Sequence, residues 1–255
     1  MRIAISGTAN VGKSTLINDF LNEWPGYTSN RYSYRELLAE KQLSHSKQST
    51  KDTQWMILNN MVDELQKYTP SDKVIFDRCS LDNLIYSLWL HEKGESDVDD
   101  SFISKCIPIV RESLKLLDII FFIPVTRSSP IDIVDNGKRE TDPVYILEVD
   151  NIFKSVIDQY KFALERTIFF PKDDCPGIIE VFGKPDERIH LMKQYLNTDG
   201  DLIGDEGGSV LDPNNVNQLF DLLEAQQEKL VSEKKEKHQT DLVKSFIKKQ
   251  KRIKV

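Results

Sequence analysis

The sequence predicts an α/β fold in which a largely parallel sheet is covered by helices on both faces and followed by a helical C-terminal extension. Three observations predict it. Short, continuously apolar runs alternate with helix-length amphipathic segments along residues 1–197, the pattern of strands buried on both faces. A glycine-bearing turn joins the first such run to the first helix. After Asn197 the composition changes to a Gly/Asp-rich stretch, then to a long segment nearly free of Gly and Pro.

Taken in order, residues 2–6 (RIAIS) form a strand that ends at Gly7. A helix follows over 13–24, broken by Pro25-Gly26. Residues 27–30 make a second short strand and 34–42 a helix, before a polar loop at 44–51. Residues 52–68 carry Trp55, Met56, Leu58, Met61, Val62 and Leu65 at helical spacing, which places Trp55 in the core. Residues 73–77 (KVIFD) are a buried strand ending in a charge. Helices follow at 81–91 and 100–117, then the most strand-like run of the chain, 118–125 (DIIFFIPV). A polar loop at 126–143 leads to a long helix at 144–169, a last strand at 177–182 and a last body helix at 186–196.

Two domains are expected: a body at 1–197, and an acidic linker with a basic helical extension at 198–255. Between Ser232 and Val255 nine basic residues face three acidic ones, so the chain's formal −7 averages a +6 tail and a −13 remainder. Such a tail is either a solvated helix or an anchor for nucleic acid or an acidic partner. No apolar run approaches the ~20 residues of a bilayer span, so no membrane association is expected. The N-terminal stretch lacks the apolar core of a signal peptide. Three widely spaced cysteines, with no CxxC pair, read as reduced thiols of a cytoplasmic protein. The four histidines show no metal-ligand spacing.

The strongest signal is Gly7-Thr8-Ala9-Asn10-Val11-Gly12-Lys13-Ser14. It fits the phosphate-loop pattern G-x-x-x-x-G-K-S/T at every fixed position, between a strand and a helix. The glycines let the chain turn so that successive N–H groups face one centre, and the helix N-terminus adds positive potential there. Lys13 is expected to reach the β and γ phosphates of ATP and Ser14 to offer its hydroxyl to Mg²⁺. Thr15 completes the phosphate-binding run. This makes the fold a P-loop NTPase three-layer sandwich.

The phosphate loop alone does not choose between kinase, GTPase and motor. A guanine-reading Asn-Lys-x-Asp loop is absent: the nearest match, Gly183-Lys184-Pro185-Asp186, has Gly in the first position. A D-x-x-G triplet at 174–177 falls just before that loop rather than after a middle strand. Asp77 and Arg78 stand at the C-terminal end of a strand, the edge where parallel sheets bind ligands. Asp77 suits a water-mediated Mg²⁺ contact or proton acceptance from a hydroxyl, and Arg78 suits a phosphoryl oxygen. The alternative for the pair is capping of the following helix.

With these residues the chain resembles the small P-loop kinases of nucleosides and nucleotides. It is most similar to the AAA-domain ATPase/kinase group that includes ribosylnicotinamide kinase domains. Thymidylate and deoxynucleoside kinases are also similar, with Asp-Arg or Glu-Arg at the equivalent strand end. The resemblance covers about residues 1–197 and includes Asp82 to Tyr86 (DNLIY), Thr53-Gln54, Arg139 and Phe182-Gly183-Lys184-Pro185. It implies a five-stranded parallel sheet, an Arg-bearing lid over ATP, and a substrate pocket between the phosphate loop and the Asp-Arg strand. The loop at 126–143 carries Arg127, Lys138 and Arg139, and Arg139 is the first candidate for the lid arginine. Arg31, Tyr34 and Arg35 lie where such kinases meet their acceptor, and arginine beside aromatics suits a base and a phosphate. Gln54 is placed facing the same pocket. Gly183 and Lys184 are placed beside adenine through their backbone.

The reading is a Mg²⁺- and ATP-dependent phosphotransferase acting on a nucleoside, nucleotide or related small molecule. Its catalytic set is Lys13, Asp77, Arg78 and Arg139, with Ser14 and Asp77 toward the metal. Two alternatives stand beside it: a kinase acting on nucleic acid, at a modified base or strand end, and an ATP-binding switch or assembly protein.

Overall fold

The computed structural model describes residues 1–30, 34–41, 46–94, 96–126 and 141–203. The chain divides into two compact units, Met1–Asp201 and Leu202–Val255. The first holds a five-stranded parallel sheet: β1 (Arg2–Ser6), β2 (Thr28–Ser29), β3 (Val74–Asp77), β4 (Ile119–Phe122) and β5 (Gly177–Glu180), in spatial order β2-β3-β1-β4-β5. Every residue of β1 is buried, which is why a run as apolar as RIAIS occupies the centre. Ile3 lies opposite Ile75 on one side and Ile119 on the other.

The helices are α1 (Lys13–Glu23), α2 (Tyr34–Lys41), α3 (Lys51–Gln66), α4 (Ser80–Lys93), α5 (Asp100–Leu114), α6 (Pro143–Ala163) and α7 (Pro185–Met192). Ala4, Val74, Phe76, Ile120 and Phe122 join one buried cluster with residues of α3, α4, α5 and α6. The alternate strand residues Ile3, Ile5, Ile75 and Phe121 face the other side, where α1 meets β1, β3 and α7. Polar side chains start the helices: Thr50, Asp99 and Asp142 accept from the N–H groups of Thr53, Phe102 and Val144.

Parallel strands bring their carboxyl ends to one edge of the sheet. Gly7, Arg78, Ile123 and Val181 follow the ends of β1, β3, β4 and β5 there. No described helix is long and apolar enough to cross a membrane. All three cysteines are free thiols. Burial pushes Cys106 and Cys175 up to about 11, and pushes Cys79 well above the ordinary thiol range.

Three local expectations need correction. Trp55 is 37% exposed, with its ring edge against Phe102, whereas Gln54 beside it is only 4% exposed. Polar partners from α4 hold Gln54 inward and so override the apolar phase. Helix α6 stops at Ala163 rather than running to 169. There the Thr167 hydroxyl accepts from Phe169 N–H, and the diverted chain buries Phe170 against Tyr160. The Gly/Asp-rich stretch begins packed on the body: Tyr27 Oη donates to Gly200 O at 2.7 Å, and Trp24 Nε1 donates to Asn197 O at 2.8 Å.

Candidate functional site

The phosphate loop takes the conformation its glycines permit. Gly7 has φ +141°, and a Cβ there would lie 2.8 Å from the Ile123 carbonyl oxygen. Gly12, at φ +84°, precedes the first residue of α1. Asn10 also adopts a left-handed φ of 61°. No side chain caps α1, so its first-turn N–H groups face the loop. Thr8 is buried and donates to Ile146 O at 3.1 Å, tying the loop to α6. Ala9 and Val11 complete the loop wall, while Thr15 is exposed on the first turn of α1.

Lys13 is buried. Its ammonium donates to Gly7 O at 2.9 Å and to Thr8 O. Arg78 is also buried and takes φ +82°, a region sparsely populated by residues with a side chain. Arg78 Nη1 donates to the same Gly7 carbonyl at 3.2 Å, so two cations converge on the start of the loop. Ser14 Oγ lies 3.4 Å from Asp77 Oδ2. The structure therefore brings Lys13, Ser14, Asp77 and Arg78 together from two segments far apart in sequence. The Ser14–Asp77 pair offers two hard oxygens beside the loop, a donor set that fits Mg²⁺ with its remaining positions filled by water and phosphate.

Sequence reasoning missed Arg188. It is buried, donates from Nη1 to Val11 O at 2.7 Å and from Nε to Gly183 O at 2.9 Å, and so clamps the loop after β5 to the phosphate loop. Burial lowers its pKa. Gly183 has φ +90°, and its carbonyl faces Arg188; Lys184 is exposed at the start of α7. No motif marks Arg188, because its partner Val11 lies 177 residues away.

Gln54 belongs to a buried amide network. Its Oε1 accepts from Asn83 Nδ2 at 2.7 Å and from Ser87 Oγ at 3.3 Å, and its Nε2 donates to Ser49 Oγ at 2.8 Å. Asn83 Oδ1 is buried with no hydrogen-bond partner. Nearby, Lys47 pairs with Asp142 and lies 5.5 Å from the centre of the Tyr145 ring. The Lys47 hydrogen bond holds the Asp142 carboxyl below the usual range.

Both flanks of the segment expected to form the lid are anchored. Asp150 accepts from Val125 N–H at 3.0 Å and Lys154 donates to Val125 O at 2.8 Å, while Asp142 caps α6. Arg127, Lys138 and Arg139 lie outside the described residues, as do Arg31 and the basic tail. Tyr34 and Arg35 open α2, and their side chains lie outside the described residues as well. Among the described residues, no group of three or more His, Cys, Asp or Glu forms a metal cluster.

Residues 2–167 match the family described as AAA domain. The chain belongs to this family. The match agrees with the resemblance read from the phosphate loop and the Asp-Arg strand end. The chain is 25% identical over 225 residues to the GTPase Era of Buchnera aphidicola, covering 76% of this chain and 77% of that protein. Among solved structures it is similar to deoxyadenosine kinase from M. mycoides with products dCMP and dCDP bound. That likeness has a TM-score of 0.56 and 18% identity, over 76% of this chain and 97% of that one. It is also similar to NadR in complex with NAD and AMP-PNP, with a TM-score of 0.50 and 12% identity, over 76% of this chain but 49% of that one. These likenesses show that the fold is the P-loop kinase type.

Proposed function

We propose that this AAA domain is an ATP- and Mg²⁺-dependent phosphotransferase acting on a nucleoside, a nucleotide or a related small molecule. The observation that carries the reading is the convergence of the Asp77-Arg78 strand end on the phosphate loop, through Ser14–Asp77 and Arg78–Gly7. A fold neighbour that is a deoxyadenosine kinase by name supports it.

In this reading bound ATP would supply the phosphoryl group, and a Mg²⁺ held by Ser14, with Asp77 beside it, would spread its charge. Lys13 and the loop N–H groups of residues 8–15 hold the phosphates, with Gly7 making the turn. Asp77 is either a contact to that metal, through water, or the base that takes the proton as an acceptor hydroxyl bonds to phosphorus and the bond to the bridging oxygen breaks. Arg78 and the lid Arg139 neutralise charge on the transferring group. Gly183 and Lys184 flank adenine. Gln54, with Arg31, Tyr34 and Arg35, binds the acceptor. Asn83 Oδ1 joins them as an oxygen that an N–H of the acceptor would satisfy. Free thiols suit a reducing cytoplasm.

Two observations favour further acceptors or donors: the +6 tail favours nucleic acid, and the Era likeness favours a GTP-hydrolysing switch. One experiment separates them. Isotopically labelled ATP or GTP is incubated with panels of nucleosides, nucleotides and DNA, and the products are read by mass spectrometry. Label arriving from ATP on a small acceptor supports the reading. Label on DNA alone, or hydrolysis of GTP with no acceptor modified, overturns it.

A further inference from the structure

We propose that Asp82 and Tyr86 are a positioning pair that fixes the Arg78 guanidinium against the phosphate loop. Arg78's part in the chemistry rests on the kinase reading above; the clamp itself is a matter of geometry.

Asp82 is 0% exposed, and its two oxygens meet donors from three places in the fold. Oδ2 accepts from Ser6 Oγ at 2.8 Å and Cys79 N–H at 3.1 Å; Oδ1 accepts from Gly7 N–H at 3.3 Å and Arg78 Nη1 at 3.1 Å. Capping of α4 explains the Cys79 bond alone. A serine or asparagine would serve for that bond, whereas four donors call for the lone pairs of a carboxylate. The other three bonds reach the end of β1, the first loop glycine and the guanidinium. One buried carboxylate thus joins the phosphate loop to the Asp-Arg strand end.

Tyr86, one helical turn beyond Asp82, completes the hold. Its hydroxyl accepts from Arg78 Nη2 at 3.0 Å, and its ring centre lies 4.8 Å from the guanidinium carbon. Arg78 needs such restraint. Its left-handed backbone turns the side chain back toward Gly7, where Lys13 already donates to the same carbonyl. Holding a flexible arginine in place before reaction lowers the entropic cost of using it in the transition state. The planar guanidinium fork reaches Asp82 through Nη1 and Tyr86 through Nη2, which lysine at 78 would not reproduce.

The test uses the full chain with Asp82→Asn, Tyr86→Phe and Arg78→Gln, alone and combined, each checked for cooperative thermal melting. The first readout is the ¹⁵N resonance of the Arg78 Nε–H group, assigned by its loss in Arg78→Gln. It is expected to be rigid in the unaltered protein and to become mobile in Asp82→Asn and in Tyr86→Phe. The second readout is phosphoryl transfer. Asp82→Asn is expected to lower kcat about tenfold or more and Tyr86→Phe about threefold, with the ATP KM nearly constant. Neither change should lower kcat further once Arg78 is Gln. An Arg78 resonance that stays rigid in the variants, or an equal loss of kcat in both backgrounds, overturns the proposal. Should Asp82→Asn fail to fold, Tyr86→Phe carries both readouts with the same deciding outcomes. A protein that transfers no phosphate to any acceptor defeats the kinase reading, while the resonance still decides the clamp.

Discussion

Replacing Arg188 with Met keeps the aliphatic stem and removes the guanidinium that bridges Val11 and Gly183. Each hydrogen bond from a charged donor contributes about 1.5–3 kcal/mol. The Val11 bond is buried and would be lost outright, whereas water reaches the half-exposed Gly183 carbonyl and replaces part of the second. Against this, Met avoids the desolvation that lowers the Arg188 pKa. The net expectation is a loss of about 2 kcal/mol in unfolding free energy by urea titration. The loop following β5 and the phosphate loop would then no longer be fixed to one another, so ATP affinity by calorimetry should fall about tenfold, equivalent to 1.4 kcal/mol. Lysine has no fork to span both carbonyls and should recover less than half of either loss. Gly12 supplies a cross-check, because a Cβ there would lie 3.1 Å from Arg188 Nη1. Gly12→Ala should therefore cost less in the Arg188→Met background, the remainder being its φ of +84°. An Arg188→Met protein that melts like the unaltered one and binds ATP as tightly would refute this account of how the two loops are coupled.

Other expectations concern the acceptor network, the lid flank and the edge of the body. Asn83→Ala should raise the acceptor KM about tenfold and leave the ATP KM unchanged in steady-state kinetics; parallel rises in both would contradict its assignment to the acceptor. Burial raises the Asp150 pKa, so the folded state holds more protons than the unfolded chain just above the ordinary Asp value. The Asp150 contribution therefore falls as pH rises through that window, and Asp150→Asn should remove this slope in urea titrations across pH 3 to 7, roughly the range spanning it. Gly200 has φ +83°, and a Cβ there would lie 2.6 Å from Tyr27 Cε2. Gly200→Ala should destabilise the body by about 2–4 kcal/mol without changing ATP affinity, as read by urea titration and calorimetry.

The sheet was legible because its strands are short and apolar throughout, as in IFF of β4 and VIF of β3, and because a parallel sheet needs a helix between successive strands. The phosphate loop was legible because its chemistry fixes residue types at fixed spacing. What escaped the sequence depends on contacts between distant segments. Arg188 reads as an ordinary helix residue until Val11 and Gly183 are beside it. Trp55 read as core because periodicity weighs apolar side chains, while Asn83, Ser87 and Ser49 turn its neighbour Gln54 inward instead. Asp82 stood out only as part of the DNLIY run, and only the fold shows Ser6 and Gly7 on its carboxylate. Residues 198–201 read as the start of a linker because their composition resembles one, yet Trp24 and Tyr27 hold the backbone at Asn197 and Gly200.

The central claim is that the Gly7–Ser14 loop presents a phosphoryl donor to chemistry at the Asp77-Arg78 strand end. Single-turnover transfer of labelled γ-phosphate from ATP to the acceptor found in the panel tests it most directly, with Lys13→Ala compared with the unaltered chain at saturating ATP. The account predicts a transfer rate lower by about a hundredfold or more in a variant that still melts cooperatively. An unchanged rate in that folded variant would contradict it.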